Sequence, residues 1–146
     1  MSPYLFTRYI RELIGDIISA GVGCKMYGQI VNVLAYADDL VLLAPSWRAL
    51  QRLITLLNVH AESLDLTCNT LKTVAMVFDP KNTNKIVSKN FPLFKIGSSS
   101  IQYITQFKYL GHVISNSVND DEDIQRETRN MFIRTNILVR RFSRPY

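Results

Sequence analysis

The chain has 146 residues, 47% of them hydrophobic and 20% charged, which suits one folded domain with a real core and excludes wholesale disorder. Lys and Arg number 17 against 12 Asp and Glu, and the net charge of +5 is compatible with a phosphate-rich partner without requiring one. Cys24 and Cys68 stand far apart with no Cys-x-x-Cys or His-rich context, which excludes a zinc framework or a disulfide scaffold and reads as two reduced, buried thiols in an intracellular protein.

The first predicted element is a helix. Ser2-Pro3 is a good entry signal, and Leu5, Ile10, Leu13, Ile14, Ile17 and Ile18 follow at helical spacing until Gly21 and Gly23 stop it. Arg8, Arg11, Glu12 and Asp16 interrupt its apolar pattern, so it is neither a signal peptide nor a membrane span. No other apolar run is long enough to cross a bilayer, which places the protein in cytoplasm or nucleus. A strand is expected over 27–35 and a second over 40–44, joined as a hairpin around Tyr36 to Asp39. Pro45 ends the second strand and Ser46 caps a helix whose stripe is Leu50, Leu53, Ile54, Leu57, Ala61 and Leu64.

Val74 to Phe78 reads as a short strand, and the polar stretch 79–90 as an exposed loop. Phe94–Ile96 and Ile101–Ile104 pattern as a small hairpin across Gly97 to Ser100, and 107–114 as a further strand. The last element is a helix from about Asn119, with Asp120, Asp121, Glu122 and Asp123 early and Arg134, Arg140 and Arg141 late. That is the sign order a helix dipole favours. The order of elements implies an α+β layer, helices packed on an antiparallel sheet.

Chemistry concentrates at Leu34-Ala-Tyr-Ala-Asp-Asp-Leu-Val-Leu-Leu43, where two adjacent carboxylates are set among apolar β-formers. Burying a carboxylate among such neighbours is expensive, whereas a short turn would present Asp38 and Asp39 at an edge, able to offer hard oxygen ligands to divalent cations. An ordinary exposed turn uses Asp in the same way. His60 has no carboxylate or thiol companion nearby in sequence, and His112 suits a polar contact better than catalysis. The acidic run 120–123 lacks the glycine and ligand spacing of a calcium loop.

Tyr36-Ala37-Asp38-Asp39 between apolar strands resembles the catalytic hairpin of reverse transcriptases, particularly those of non-LTR retrotransposons. Further blocks follow in that family's order. Ser2-Pro3-Tyr4-Leu5-Phe6 resembles the end of the block before the palm helix, and Asn69-Thr70-Leu71-Lys72-Thr73 the Asn-x-x-Lys-Thr block after the second one. Phe107-Lys108-Tyr109-Leu110-Gly111 resembles the primer-grip hairpin. The resemblance implies a partial polymerase palm over 1–115, an antiparallel sheet with packed helices, followed by the start of a thumb or connection helix over 116–146.

The implied activity is RNA-directed DNA polymerisation with an RNA template, a DNA primer and deoxynucleotides. Two Mg²⁺ ions about 3.5–4 Å apart activate the primer hydroxyl and stabilise the leaving pyrophosphate in such a site. By resemblance Asp38 is the direct metal ligand and Asp39 a secondary one. Lys72 would stabilise charge on the incoming triphosphate, a role that competes with an ordinary solvated loop lysine. Tyr36 belongs to the same hairpin, and Tyr109, Leu110 and Gly111 would shape a tight turn against the primer, or simply pack. Arg140 and Arg141, with Arg126, Arg129, Arg134 and Arg144, suit phosphate contacts along the thumb, and Ile124, Thr128, Met131, Thr135, Leu138 and Phe142 line one face of it.

The chain departs from the family pattern in one important respect. Reverse transcriptases carry a further catalytic aspartate on an earlier strand, together with fingers, and neither is in these residues. The expectation is therefore a polymerase fragment that is inactive alone, with a nucleic-acid-binding remnant or an inert decayed fragment as alternatives.

Overall fold

The computed structural model describes residues 3–79 and 91–143. It divides into two compact units, Met1–Ala75 with Asn90–Gln102, and Met76–Lys89 with Tyr103–Tyr146. The architecture is mixed α+β, with three helices and short β-ladders of two strands each among the described residues.

In the first unit, helix α1 spans Pro3–Ser19 and α2 spans Trp47–Ser63. Proline suits a first helical turn because its missing N–H would find no partner there. Ile10, Leu13 and Ile17 recur at helical spacing and are buried against Leu53 and Ala61 of α2. Ser46 caps α2, its hydroxyl accepting the Ala49 N–H at 3.3 Å. At the other end Leu66 N–H reaches the Ala61 carbonyl and Asp65 N–H the Glu62 carbonyl, with Asp65 left-handed at φ 54°. This is a Schellman close with aspartate where glycine is usual. His60 Nδ1 lies 3.0 Å from Asp16 Oδ2, so folding supplies the carboxylate companion that was absent nearby in sequence.

The expected strand over 27–35 is instead two strands and a turn. β1 (Cys24–Met26) pairs antiparallel with β2 (Gln29–Val31) through Tyr27-Gly28, both at positive φ, the conformation of a tight two-residue hairpin. β3 (Val33–Tyr36) then pairs with β4 (Asp39–Leu42). Asn32, at the join, is 2% exposed, and its amide donates to the Val22 carbonyl at 2.9 Å and to the Ile17 carbonyl. Gly23 stands beside it: a Cβ there would meet Asn32 Cβ at 2.7 Å and the Val31 carbonyl at 2.9 Å.

The 74–78 strand shortens to β5 (Val74–Ala75). β6 (Lys95–Ile96) pairs with β7 (Ser99–Ser100) around Gly97-Ser98, a tighter hairpin than the residues 94–104 suggested; Gly97 at φ 57° permits it. This hairpin is fastened to α2. Gln51 exchanges two hydrogen bonds with the Lys95 backbone at 3.0 and 3.1 Å, and Trp47 stacks on Phe94 with ring centroids 5.9 Å apart. β8 is Gln102–Tyr103. Of the expected 79–90 loop, residues 80–90 lie outside the described residues.

In the second unit the expected 107–114 strand is a hairpin, β9 (Gln106–Tyr109) with β10 (His112–Ser115), followed by α3 (Asp121–Phe142). Its chain reversal at 110–111 agrees with the tight turn implied by the family resemblance. The two thiols are free and half-buried, and burial pushes the Cys68 thiol up. Among the described residues no helix is long and apolar enough to cross a membrane.

Candidate active site

The β3·β4 hairpin carries the aspartate pair. Its register sets Val33 opposite Leu42, Leu34 opposite Val41, Ala35 opposite Leu40 and Tyr36 opposite Asp39, leaving Ala37 and Asp38 as the two turn residues. Side chains alternate between faces along a strand. Val33, Leu40 and Leu42 pack on the α1–α2 core, so the other face, with Leu34, Tyr36 and Asp39, is turned outward. Tyr36 is 62% exposed. Asp38 and Asp39 are both exposed, and the outcome expected of a short turn, carboxylates lifted out of the apolar core, is what the fold delivers.

Ala37 is left-handed at φ 51°. An L-residue there carries strain of order 1–2 kcal/mol, which the paired strands on either side must hold in place. The hairpin's base is fixed by Asn32, whose carbonyl accepts the Leu43 N–H at 2.9 Å while its amide donates to the Ile17 carbonyl at the end of α1 and to the Val22 carbonyl in the loop after it. The carboxylates are thus anchored through a ladder of four residue pairs to a buried polar clamp.

Lys72 sits in a compact turn of the same unit. The Asn69 carbonyl accepts the Lys72 and Thr73 N–H groups at 3.1 and 3.0 Å and the Thr73 hydroxyl at 2.8 Å. Asn69 Oδ1 also faces the Lys72 N–H at 3.2 Å. The asparagine and threonine of the Asn-x-x-Lys-Thr block thereby fix the backbone, and the ammonium is left to solvent.

Tyr109, Leu110 and Gly111 belong to the second unit. Leu110 at φ 48° and Gly111 at φ 92° make the two-residue turn of β9·β10, with Tyr109 opposite His112. Arg140 and Arg141 lie in the last turn of α3 and are exposed. Asp38, Asp39 and Tyr36 are therefore brought together by one turn. Lys72 occupies a separate loop, and the remaining candidates fall in the other unit.

Three groups of residues escaped the reading of the sequence. Asn32 and Gly23 set the hairpin's base; an asparagine inside an apolar β-run was the available signal. Gln51 and Trp47 hold β6·β7, which no local pattern announces. Asp123 organises the second unit, accepting the Val113 N–H at 2.9 Å, His112 Nδ1 at 2.9 Å and Arg126 Nη2 at 2.7 Å. These donors hold its carboxyl well below the usual carboxylate range, the Val113 N–H contributing most, and place His112 in the polar contact expected of it.

Reverse transcriptases generally use divalent metals. Exposed carboxylate oxygens suit a Mg²⁺-type ion, which keeps several waters and is commonly held by one or two carboxylates plus substrate phosphates. Among the described residues no group of three or more His, Cys, Asp or Glu side chains converges on a point. The hairpin pair therefore fits part of one ion's shell and does not complete a two-ion centre within these residues.

The family description "Reverse transcriptase (RNA-dependent DNA polymerase)" matches residues 1–114. The chain is 33% identical over 116 residues to the "Retrovirus-related Pol polyprotein from type-2 retrotransposable element R2DM" of Drosophila melanogaster. That similarity covers 76% of this chain and 11% of the relative's length. No solved structure matches the chain. The motif order and both sequence matches agree: the chain belongs to the reverse transcriptase family, of the type carried by non-LTR retrotransposons.

Proposed function

We propose that residues 1–115 form part of a polymerase palm, that 116–146 begin its thumb, and that Asp38 and Asp39 are carboxylates of the nucleotidyl-transfer site. The observation that carries this reading is the β3·β4 hairpin, whose turn exposes both carboxylates beside Tyr36 while the strands behind stay packed on α1 and α2. In the complete family, bound Mg²⁺ would activate the primer hydroxyl and stabilise the leaving pyrophosphate.

This chain's own residues supply orientation and charge. Asp38, at the turn, is the primary ligand, with Asp39 secondary. Tyr36 presents its ring on the same outward face as Asp39, against a nucleotide or the primer end. The Lys72 ammonium, on a turn fixed by Asn69, faces the triphosphate. The Tyr109–Gly111 turn lies along the primer, where glycine permits close backbone approach. Arg140 and Arg141 contact phosphates of the RNA template and DNA primer, and deoxynucleotides are the substrates.

The hairpin offers two exposed carboxylates, and no group of three or more His, Cys, Asp or Glu side chains forms among the described residues. On this reading the 146-residue polypeptide by itself does not support nucleotidyl transfer. Primer extension on an RNA template with Mg²⁺ and the purified chain tests this. Background incorporation agrees with the reading, whereas incorporation that Asp38→Ala abolishes would overturn it.

A second reading, non-catalytic nucleic-acid binding, is favoured by Arg129, Arg134, Arg140 and Arg141, all exposed. It predicts salt-dependent binding to a primer–template duplex, weakened by Arg140→Ala with Arg141→Ala and indifferent to Asp38→Ala. Binding that is absent or independent of salt would remove it.

A further inference from the structure

Helix α3 runs for 22 residues without burying one of them, yet it is rich in large apolar side chains. Met131, Phe132, Leu138, Val139 and Phe142 are all more than half exposed, Phe142 at 83%. Their order is not random. Ile124, Thr128, Met131, Thr135, Leu138 and Phe142 alternate steps of four and three, the seam of a left-handed coiled coil. The two threonines do not break it. Thr128 and Thr135 donate their hydroxyls to the carbonyls of Ile124 and Met131 at 2.8 and 2.9 Å, which satisfies the polar atom within the helix and leaves the methyl group for the seam.

The flanks carry further pattern. Glu127, Arg134 and Arg141 recur every seven residues along one edge, and Gln125, Phe132 and Val139 along the other. Charge is polarised along the axis as well, with Asp121, Glu122 and Asp123 in the first turn and Arg140 and Arg141 in the last. A parallel copy would set acid on acid and base on base. An antiparallel copy reverses this: with the two helices centred on residue 133, Ile124 meets Phe142, Thr128 meets Leu138 and Met131 meets Thr135. The same register places Glu127 opposite Arg141 twice and Phe132 opposite its own equivalent. One contact opposes the arrangement, Arg134 against Arg134.

We propose that α3 is a self-association helix, through which two copies of this chain pair antiparallel along the 124–142 seam. Charge complementarity between its two ends selects the second copy as occupant. Glu127 is already bonded to Arg126 at 2.6 Å and remains half exposed, so its carboxylate has a face left for Arg141 of the other copy. Arg129 and Arg140 lie on the side of the helix away from the seam and stay open to phosphate, whereas pairing and phosphate contact compete for Arg141.

Sedimentation velocity of the 146-residue chain from about 1 to 100 µM, at low and high salt, tests the proposal. The expected result is a monomer–dimer equilibrium weakened by salt. Leu138→Asp should raise the dissociation constant at least tenfold while circular dichroism shows helix content unchanged. Glu127→Arg alone and Arg141→Glu alone should each weaken the dimer, and the two together should restore it. Arg134→Gln should tighten it. A single monomeric species across the range would overturn the proposal. So would a dimer that ignores Leu138→Asp, or single charge variants that leave association unchanged, because either outcome means another surface or a parallel pairing.

Discussion

Tyr36 stands directly opposite Asp39 across the β3·β4 ladder, one step before the turn that carries Asp38. Cross-strand neighbours on one face lie close enough to act on the same ligand. An aromatic ring and a carboxylate therefore share one exposed surface, while the alternate residues of the same strands hold the core.

Such a division predicts that the carboxylates contribute little to folding. Asp38→Ala and Asp39→Ala should each leave stability within about 0.5 kcal/mol, the range of exposed surface changes away from caps and clamps. Thermal denaturation followed by circular dichroism checks this. A large loss from either would give the pair a structural role instead.

Asn32 should behave in the opposite way. Its buried amide supplies the Ile17 and Val22 carbonyls, so Asn32→Ala removes a donor from buried acceptors and should destabilise by about 1–3 kcal/mol. Asn32→Asp should be worse, because it turns a carboxylate toward two carbonyl oxygens in a buried site. Urea titration gives both values, and a near-neutral Asn32→Asp would refute the clamp.

At Gly23 the limit is space. An added methyl lands 2.7 Å from Asn32 Cβ and 2.9 Å from a backbone carbonyl, neither of which can swing aside. Gly23→Ala should lower stability by about 1–3 kcal/mol, the usual effect of overpacking. Gly28→Ala faces no such contact and acts only through its positive φ. Comparing the two melting temperatures separates crowding from backbone strain.

The second unit should be acid-sensitive through Asp123. Its carboxyl titrates below the ordinary value because it is bonded to Val113 N–H, His112 and Arg126. A group whose folded pKa is depressed stabilises the fold above its unfolded value, near about 4, and loses that contribution as pH falls toward the folded one. The stability difference between wild type and Asp123→Asn should therefore be constant near neutrality and shrink below about pH 4. Equilibrium unfolding at stepped pH measures it; a difference that grew in acid would contradict the assignment.

Much of this was legible in the chain. The helix α1 stripe, the Ser46 cap and the acidic start of α3 announce themselves because periodicity and capping are local. Tyr36–Asp39 was readable as a turn because apolar β-formers flank it on both sides. The strands were harder. Tyr27-Gly28 patterns with the strand that follows it, although glycine at the second position of a two-residue turn is the stronger signal. Asp123 and Asn32 depend on partners ten to fifteen residues away, and their roles exist only once the chain has folded. The Asp16–His60 contact is of the same kind, joining two helices that the sequence shows separately.

Whether Asp38 and Asp39 form the metal-binding edge of a polymerase palm is decided by Mn²⁺ titration of the isotopically labelled chain. Paramagnetic broadening of backbone amide signals locates where the ion resides. Weak binding is expected, with Ala37, Asp38, Asp39 and Leu40 broadened first and the effect lost in the Asp38→Ala, Asp39→Ala double variant. Broadening centred on the acidic run 120–123, or a hairpin untouched by the ion, would contradict it.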